Sequence, residues 1–224
     1  MSPAVSPAES LLDALAERAP VVPVVVVDDL AHAVPVARAL AAGGVPVVEL
    51  TLRTPVALDA IRAIAAEVPE VLVGAGTVVT PDQAEQARAA GAQFLVSPGA
   101  TPRLLAAMDA TGLPFLAGTA TVSEVLAVLE TGRTEMKFFP AEASGGAGFL
   151  GSVASPVPTA RFCPTGGITP GNAAAYLALP NVACVGGSWL TPKDALAAGD
   201  WARVTALAGA TAALRAPGQD QLAG

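Results

Sequence analysis

Basic residues are scarce in this chain. Its 224 residues include two lysines, Lys137 and Lys193, and one histidine, and 12 lysines and arginines stand against 19 acidic residues, for a formal charge of −7. Since nucleic-acid binding requires a basic face and no run of Lys or Arg occurs, we exclude that class of function. One histidine, with no carboxylate cluster beside it, also argues against a metal site and against a Ser-His-Asp triad.

Cysteines and long apolar runs are equally few. The two cysteines, Cys163 and Cys184, match no C-x-x-C metal or redox spacing. We interpret them as reduced core thiols of a cytoplasmic protein, since structural disulfides are rare in that compartment. The apolar runs are strand-sized or broken by charges, so we expect no membrane span. The opening MSPAVSPAES lacks a basic segment followed by an apolar core, so we expect no secretory signal there.

The chain does contain a regular alternation of two kinds of segment. Hydrophobic residues make up 53% of it and charged residues 14%, which is ample for a large core. Short β-branched runs are each followed by an Ala- and Leu-rich amphipathic segment, and the runs lie at 21–27, 46–52, 71–76, 92–99, 114–118, 135–140, 160–167 and 182–188. Continuously apolar runs are typical of parallel strands covered on both faces. Eight β/α units in this length predict one domain over 1–224, a closed (β/α)8 TIM barrel.

Several local signals refine this prediction. Segment 7–18 predicts an extra N-terminal helix that covers the barrel floor, and residues 1–6 and 216–224 are expected to fray. Thr54, followed by a proline, predicts a helix start. Glu142 follows the sixth run, and we interpret it as a cap of the Gly-rich turn and not as a catalytic residue.

Polar residues collect at the carboxyl ends of the predicted strands, where barrel active sites lie. Glu49 and Arg53 belong to the second run and its end, and Lys137 belongs to the sixth. Glu49 and Lys137 can be read as an interior ion pair that fixes barrel packing, although desolvation leaves such pairs weakly stabilising. Alternatively, burial favours the neutral amine, which forms a Schiff base with a carbonyl substrate while a nearby carboxylate moves protons. We favour this second interpretation, in which Arg53 holds a substrate carboxylate, because buried polar groups are costly unless used.

Two glycine-rich segments follow the last two strands. PTGGITPGN contains Thr165, Gly166 and Gly167, and VGGSWL contains Gly187 and Ser188. Barrels often bind phosphate with the loops after strands seven and eight, where glycines let backbone amides approach the anion. Two ordinary turns would explain either pair alone, but both in the expected places favour a phosphate site.

Seven stretches between about residues 20 and 200 resemble a known family. They are PVVPVVVVDDLAHAVPVARALAAGGVPVVELTLRT, EVPEVLVGAGTV, GAQFLVSPG, TVSE, KFFPAE, RFCPTGGITPGN and GGSWL. The chain resembles the bacterial 2-keto-3-deoxy-6-phosphogluconate (KDPG) aldolases, also called 4-hydroxy-2-oxoglutarate (KHG) aldolases. The resemblance implies a class I aldolase that needs no metal or cofactor and is usually a homotrimer. It also implies cleavage of 2-dehydro-3-deoxy-6-phosphogluconate to pyruvate and glyceraldehyde 3-phosphate, in the Entner–Doudoroff pathway.

The resemblance also implies a role for individual residues. Lys137 matches the Schiff-base lysine, and Glu49 matches the acid/base glutamate that works through a water. The residues that match the pyruvate end of the pocket are Arg53, Thr77 and Pro98, with Phe139 as an aromatic wall. The residues that match the phosphate pocket are Thr165, Gly166, Gly167 and Ser188.

One stretch departs from the family, and three alternatives stay open. Where the family commonly has PGIS before TVSE, this chain has AGTA at 117–120, and we expect Ala117 and Thr119 to face the site and alter its wall. The alternatives are a 6-phosphogalactonate aldolase, a phosphosugar isomerase or epimerase, and a non-catalytic phosphometabolite-binding barrel. Against the first alternative, TLRT and FFPAE favour the gluconate type. Against the second, an isomerase or epimerase needs no lysine in the sixth run. Against the third, a binding protein gains nothing from Glu, Arg and Lys aimed at one point.

Overall fold

The computed structural model describes residues 10–214, so the two ends expected to fray lie outside the described residues. In this range eight strands run β1 Val21–Val25, β2 Val47–Thr51, β3 Leu72–Gly76, β4 Leu95–Val96, β5 Phe115–Thr119, β6 Glu135–Phe138, β7 Arg161–Pro164 and β8 Val185–Gly187. Each strand lies within a predicted run, except that β5 extends one residue further.

Helices alternate with these strands. In the described range they are α1 Leu11–Arg18, α2 Ala33–Ala42, α3 Ala57–Glu67, α4 Pro81–Ala89, α5 Pro102–Ala110, α6 Val122–Leu129, α7 Gly146–Ala154, α8 Ala173–Leu177, α9 Lys193–Ala198 and α10 Trp201–Ala210. The extra N-terminal helix is confirmed as α1, and residues 7–9 of its predicted span lie outside the description. None of the helices between residues 10 and 214 has both the length and the apolar character needed to cross a membrane.

The strands form one parallel sheet that closes on itself. Their order is β7-β6-β5-β4-β3-β2-β1-β8. Parallel bridges from Phe162 to Val182 and from Thr165 to Gly186 join the β7 and β8 segments. The alternation of apolar strands and amphipathic helices therefore produces the predicted TIM barrel.

The core has two layers, one inside the barrel and one between the strands and the helices. Every residue of β2 is buried, since its side chains point alternately into these two layers. On β6, Phe138 points outward and stacks on Phe149 of α7, with ring centroids 5.0 Å apart. Lys137, the residue before it, therefore points into the barrel.

Helix α1 closes the amino end of the barrel. The Leu12 amide donates to the Glu135 carboxylate at the start of β6, with 3.1 Å between nitrogen and oxygen. Arg161, at the start of β7, donates to Asp13 of α1 and to the Ser10 hydroxyl that caps the helix. With the floor covered in this way, the carboxyl ends of the strands form the open mouth.

One predicted helix boundary is wrong. Thr54 does not cap α3, which begins at Ala57. Its hydroxyl instead donates to the Val27 carbonyl at 2.7 Å and ties the loop after β2 to the end of β1. The local pattern predicted that Thr54 caps the helix, but its hydroxyl is engaged in this tertiary hydrogen bond. Where no distant partner intervenes, a local cap does form, since Thr121 and Glu124 make a capping box at the start of α6.

Both cysteines lie in the core without a disulfide, as predicted. A hydrogen bond with Cys163 and burial raise the pKa of the Cys184 thiol, so the neutral thiol is its stable form.

Candidate active site

Lys137 and Glu49 meet inside the barrel although their strands stand on opposite sides of it. In the closed order three strands separate β2 from β6 in either direction. The Lys137 Nζ lies 3.1 Å from the Glu49 Oε1, and each side chain is only 3% exposed. At this distance a proton can pass directly between the amine and the carboxylate.

Gly76 makes room for the Glu49 carboxylate. It ends β3 beside the end of β2, and a Cβ atom added to it would lie 2.2 Å from the Glu49 Oε1. Since that distance is far below a van der Waals contact, the carboxylate can lie where it does only because residue 76 has no side chain.

Arg53 lies at the mouth, just beyond β2, and is exposed. Its Nε donates to the Thr77 hydroxyl at 3.0 Å. Thr77 adopts φ 58°, a left-handed conformation that is a genuine outlier for a β-branched residue. No group of residues 10–214 accepts a hydrogen bond from the two terminal nitrogens of Arg53. That fork matches the shape of a carboxylate.

Pro98 is held against β5, the strand next to the lysine strand β6, by a close approach of two chain segments. A Cβ atom on Gly118 would lie 2.2 Å from the Pro98 carbonyl carbon, so only glycine fits there. The Ser97 hydroxyl accepts from the Gly118 amide at 3.3 Å, and Gly118 is the register partner of Lys137. Phe139, the half-buried residue after β6, has its ring centroid 5.2 Å from the Lys137 Nζ.

Residues 165–167, which we call the glycine turn, follow β7. Gly166 and Gly167 have φ angles of 100° and 78°, which favour glycine. Among the described residues no group accepts a hydrogen bond from the backbone amides of these two glycines. The Thr165 hydroxyl oxygen is buried and has no hydrogen-bond partner there either. Free amides in a left-handed turn are a common anion-binding arrangement.

The end of β8 lies beside this turn. Gly186 leaves space for the Thr165 side chain, since a Cβ atom there would be 2.2 Å from the Thr165 Oγ1. Gly187 leaves space for the Trp189 ring in the same way, since a Cβ atom there would be 2.1 Å from the ring, so this tryptophan is a packing residue. Ser188 is exposed at the mouth. The predicted phosphate residues therefore lie together at the ends of β7 and β8.

Residues 10–214 contain no group of three or more His, Cys, Asp or Glu side chains placed to hold a metal ion.

Comparison with known proteins gives the family. The model of the KDPG and KHG aldolase family matches residues 12–207. The chain belongs to this family. The KHG/KDPG aldolase of Escherichia coli K12 is 58% identical over 189 residues, which cover 84% of this chain and 89% of the relative.

Two solved structures of the family are closely similar. The first is the KDPG aldolase of Legionella pneumophila, in which pyruvate was captured at low pH as a covalent carbinolamine intermediate. Its TM-score is 0.87 at 46% identity, with coverage of 90% of this chain and 98% of the other. The second is the 2-keto-3-deoxy-6-phosphogluconate aldolase of Zymomonas mobilis ZM4 with 3-phosphoglycerate, with a TM-score of 0.85 at 46% identity and coverage of 92% and 96%.

Two of the residues that depart from the family pattern, Ala117 and Thr119, do not face the site as expected. Ala117 and Thr119 are the register partners of Met136 and Phe138, so they share the outer face of the barrel with them. The Thr119 hydroxyl donates to the Lys137 carbonyl at 3.2 Å, within the strand layer. The expectation failed because the inward residue of this strand is set by its register with β6, which the local sequence does not reveal.

Glu142 has a role that the sequence did not reveal. Its carboxylate accepts a hydrogen bond from the Tyr176 hydroxyl of α8. Burial, followed by the hydrogen bond to Glu142 and its charge, raises the pKa of Tyr176 well above its ordinary value. Asn172, four residues before Tyr176, donates to the Gly167 carbonyl at 3.2 Å. The sequence did contain one signal for this role. Asn172 and Tyr176, the chain's single tyrosine, follow PTGG and lie four residues apart, which places them on one face of a helix.

Proposed function

We propose that this chain is a class I aldolase that cleaves 2-dehydro-3-deoxy-6-phosphogluconate to pyruvate and glyceraldehyde 3-phosphate through an imine on Lys137. In this proposal it also cleaves 4-hydroxy-2-oxoglutarate. The observation that carries the proposal is the 3.1 Å contact between the buried Lys137 amine and the Glu49 carboxylate. As a purely structural pair it would add little net stability, whereas an amine with its own proton acceptor is what imine chemistry requires.

The arrangement of the mouth supports a substrate with an anionic group at each end. Arg53 and Thr77 follow β2 and β3, while the glycine turn and Ser188 follow β7 and β8, at a separate part of the ring of strands. Lys137 stands on β6, between the two groups. A 2-keto acid with a distant phosphate would place its carboxylate at Arg53, its ketone near the lysine and its phosphate at the free amides of the glycine turn.

Imine formation follows from the contact between Lys137 and Glu49. The carboxylate takes a proton from the ammonium, and the neutral Nζ attacks the C2 ketone. Protonation of the resulting carbinolamine hydroxyl by Glu49 releases water and leaves a cationic imine. Arg53 holds the adjacent carboxylate in a two-point grip and so keeps C2 facing the nitrogen.

Carbon–carbon cleavage uses the cationic imine as an electron sink. Glu49, acting through a water as the family resemblance implies, removes the proton of the C4 hydroxyl. The C4 oxygen forms a carbonyl while the electrons of the C3–C4 bond move to C3 and the nitrogen, which releases the aldehyde. Protonation of the enamine at C3 and hydrolysis of the imine give pyruvate and regenerate the amine. Binding of the remote phosphate helps to position C3 and C4.

Borohydride trapping with pyruvate tests the proposal, because the chain has only two lysines. Lys137→Arg keeps the positive charge beside Glu49 but cannot form the imine, so we expect no trapped adduct and no cleavage. Lys193→Arg is the matched control, since Lys193 is exposed at the start of α9, and it should trap one pyruvate per chain as the wild type does. An adduct on Lys193, or none in the wild type, would contradict the proposal and favour a phosphometabolite-binding barrel.

A homotrimer in the cytoplasm is also part of the proposal. The resemblance to the family supports the trimer, and the two unbridged core thiols support a reducing compartment. Light scattering of the purified protein should give three times the chain mass of 22.1 kDa. A monomeric mass at working concentration would remove the trimer from the proposal.

A further inference from the structure

Each carbonyl of the glycine turn is held from outside the turn. The first accepts from the Ala141 amide at 2.8 Å and the second from the Glu142 amide at 3.1 Å. The third accepts from the Asn172 Nδ2 at 3.2 Å. The Thr165 amide donates to the Phe138 carbonyl, whereas the amides of Gly166 and Gly167 have no acceptor among the described residues and remain available to a ligand. The residues that hold the turn belong to the segments after β6 and after β7.

Glu142 contacts the turn with its side chain as well as its backbone. A Cβ atom on Gly167 would lie 2.7 Å from both the Cβ and the Cγ of Glu142, so the side chain lies flat against this glycine. Its carboxylate then continues to the Tyr176 hydroxyl. This hydrogen bond attaches the Glu142 carboxylate to α8, because the Tyr176 hydroxyl of that helix is the donor.

Tyr176 is a firm anchor for this contact. It is 1% exposed, on the short helix α8 that follows the turn. Its phenol has a raised pKa and therefore stays a hydrogen-bond donor at neutral pH. Asn172 and Tyr176 lie four residues apart, on one face of this helix. The helix thus holds the turn at two points, once through Asn172 and once through Glu142.

We propose that Glu142 and Tyr176 form a latch that positions the glycine turn for the substrate phosphate. They are positioning residues, since neither touches the Lys137–Glu49 pair. Glu142 lies on the segment that leaves the lysine strand β6, so the latch also sets the position of the turn relative to the lysine. The inference rests on the proposed function, because it concerns the phosphate end of that same site.

Tyr176→Phe tests the latch by removing one hydroxyl and little else. We expect the KM for 2-dehydro-3-deoxy-6-phosphogluconate to rise about tenfold with kcat changed less than about twofold, the pattern of lost uniform binding. Cleavage of 4-hydroxy-2-oxoglutarate, which has no phosphate, should be unchanged, as should pyruvate trapping. A purely structural role would lower both activities together.

Two substitutions at Glu142 give the control. Glu142→Gln keeps the size and an acceptor oxygen for the Tyr176 hydroxyl, so it should resemble the wild type. Glu142→Ala removes the acceptor and the packing against Gly167, so it should raise the KM for the phosphorylated substrate at least as much as Tyr176→Phe. An equal loss in the Gln and Ala variants would mean that charge, and not the hydrogen bond, matters, and would overturn the latch.

The outcomes separate this inference from the proposed function. If the wild type traps no pyruvate, the aldolase proposal fails whatever the latch does. If the wild type traps pyruvate and cleaves both substrates, but Tyr176→Phe lowers both activities equally or neither, only the latch fails. Thermal unfolding of each variant identifies any loss that comes from unfolded protein.

Discussion

The two ends of the barrel each contain charged pairs, and they are built differently. At the floor, Arg161 donates to Asp13 and Ser10 and also faces Glu135, and its side chain is 38% exposed. At the mouth, Lys137 and Glu49 are buried, and the Lys137 Nζ and the Glu49 carboxylate have only each other as hydrogen-bonding partners among the described residues.

The difference lies in how fully each charge is satisfied. The floor guanidinium has several acceptors and partial access to water, which suits a pair whose role is to attach α1 to β6 and β7. The Lys137 ammonium has three N–H groups and one acceptor, and Glu49 has an oxygen to spare. An incompletely satisfied buried pair leaves donors and acceptors for a substrate, which is what the role proposed for Lys137 and Glu49 requires.

The largest effect is expected from breaking the pair at the mouth. Lys137→Met should abolish cleavage and leave Glu49 buried without its partner, which should lower the free energy of unfolding by about 3–5 kcal/mol. The double variant Lys137→Met, Glu49→Leu replaces both charges with apolar groups, so it should regain most of that stability and stay inactive. Urea unfolding and a cleavage assay measure the two effects. A double variant as unstable as the single one would mean that the pair stabilises the barrel.

A smaller effect is expected from moving Glu49 without removing it. Gly76→Ala places a methyl group where the carboxylate lies, so kcat should fall about 100-fold, the loss typical of a misplaced acid/base group. The matched control is Gly99→Ala at the same mouth, where an added Cβ atom has no neighbour within 4 Å and activity should persist. Steady-state kinetics of the two variants make the comparison. Similar kcat values in both would show that the position of Glu49 is not restricted by residue 76.

The smallest effect is expected at the floor. Arg161→Ala should lower the free energy of unfolding by about 1 kcal/mol or less, because its pairs are partly solvated, and kcat should not change.

The floor pair also has a pH signature. The hydrogen bond and charge of Arg161 lower the pKa of the Asp13 carboxyl, against the opposing effect of burial. Because the pKa of Asp13 is lower in the folded state, its ionised carboxylate stabilises the fold at pH values above the ordinary pKa of 3.8. This stabilisation is lost as the pH falls through the folded pKa. Urea unfolding at several pH values below about 4 should therefore show a flatter acid dependence in Arg161→Ala than in the wild type. An identical slope in both proteins would contradict this assignment.

Much of the fold could be predicted because its signals are local and repeated. The β-branched runs and the helix caps, such as Thr121 with Glu124, specify their elements without help from distant residues. Predictions failed where a distant partner overrode a local pattern. The Thr54 hydroxyl donates to the Val27 carbonyl, beyond the neighbouring strand β1, instead of capping α3, and Ala117 and Thr119 turn outward because of their register with β6.

The chemistry-bearing residue types could also be read from the sequence, whereas their supports could not. Lys137, Glu49 and Arg53 are conspicuous because charged residues are few. Gly76 carries no such signal, since its importance comes from which side chain it meets.

The sequence alone determined the barrel, because eight apolar runs covered by amphipathic helices have few other ways to bury their surface. It also determined which polar residues stand at the strand ends. The tertiary structure alone decided that Lys137 meets Glu49 across the barrel and that Glu142 reaches Tyr176 behind the glycine turn. The two partners are separated by 88 positions in the first contact and by 34 positions in the second. Contacts over such separations depend on how the whole sheet closes and on its register, and no local pattern specifies either.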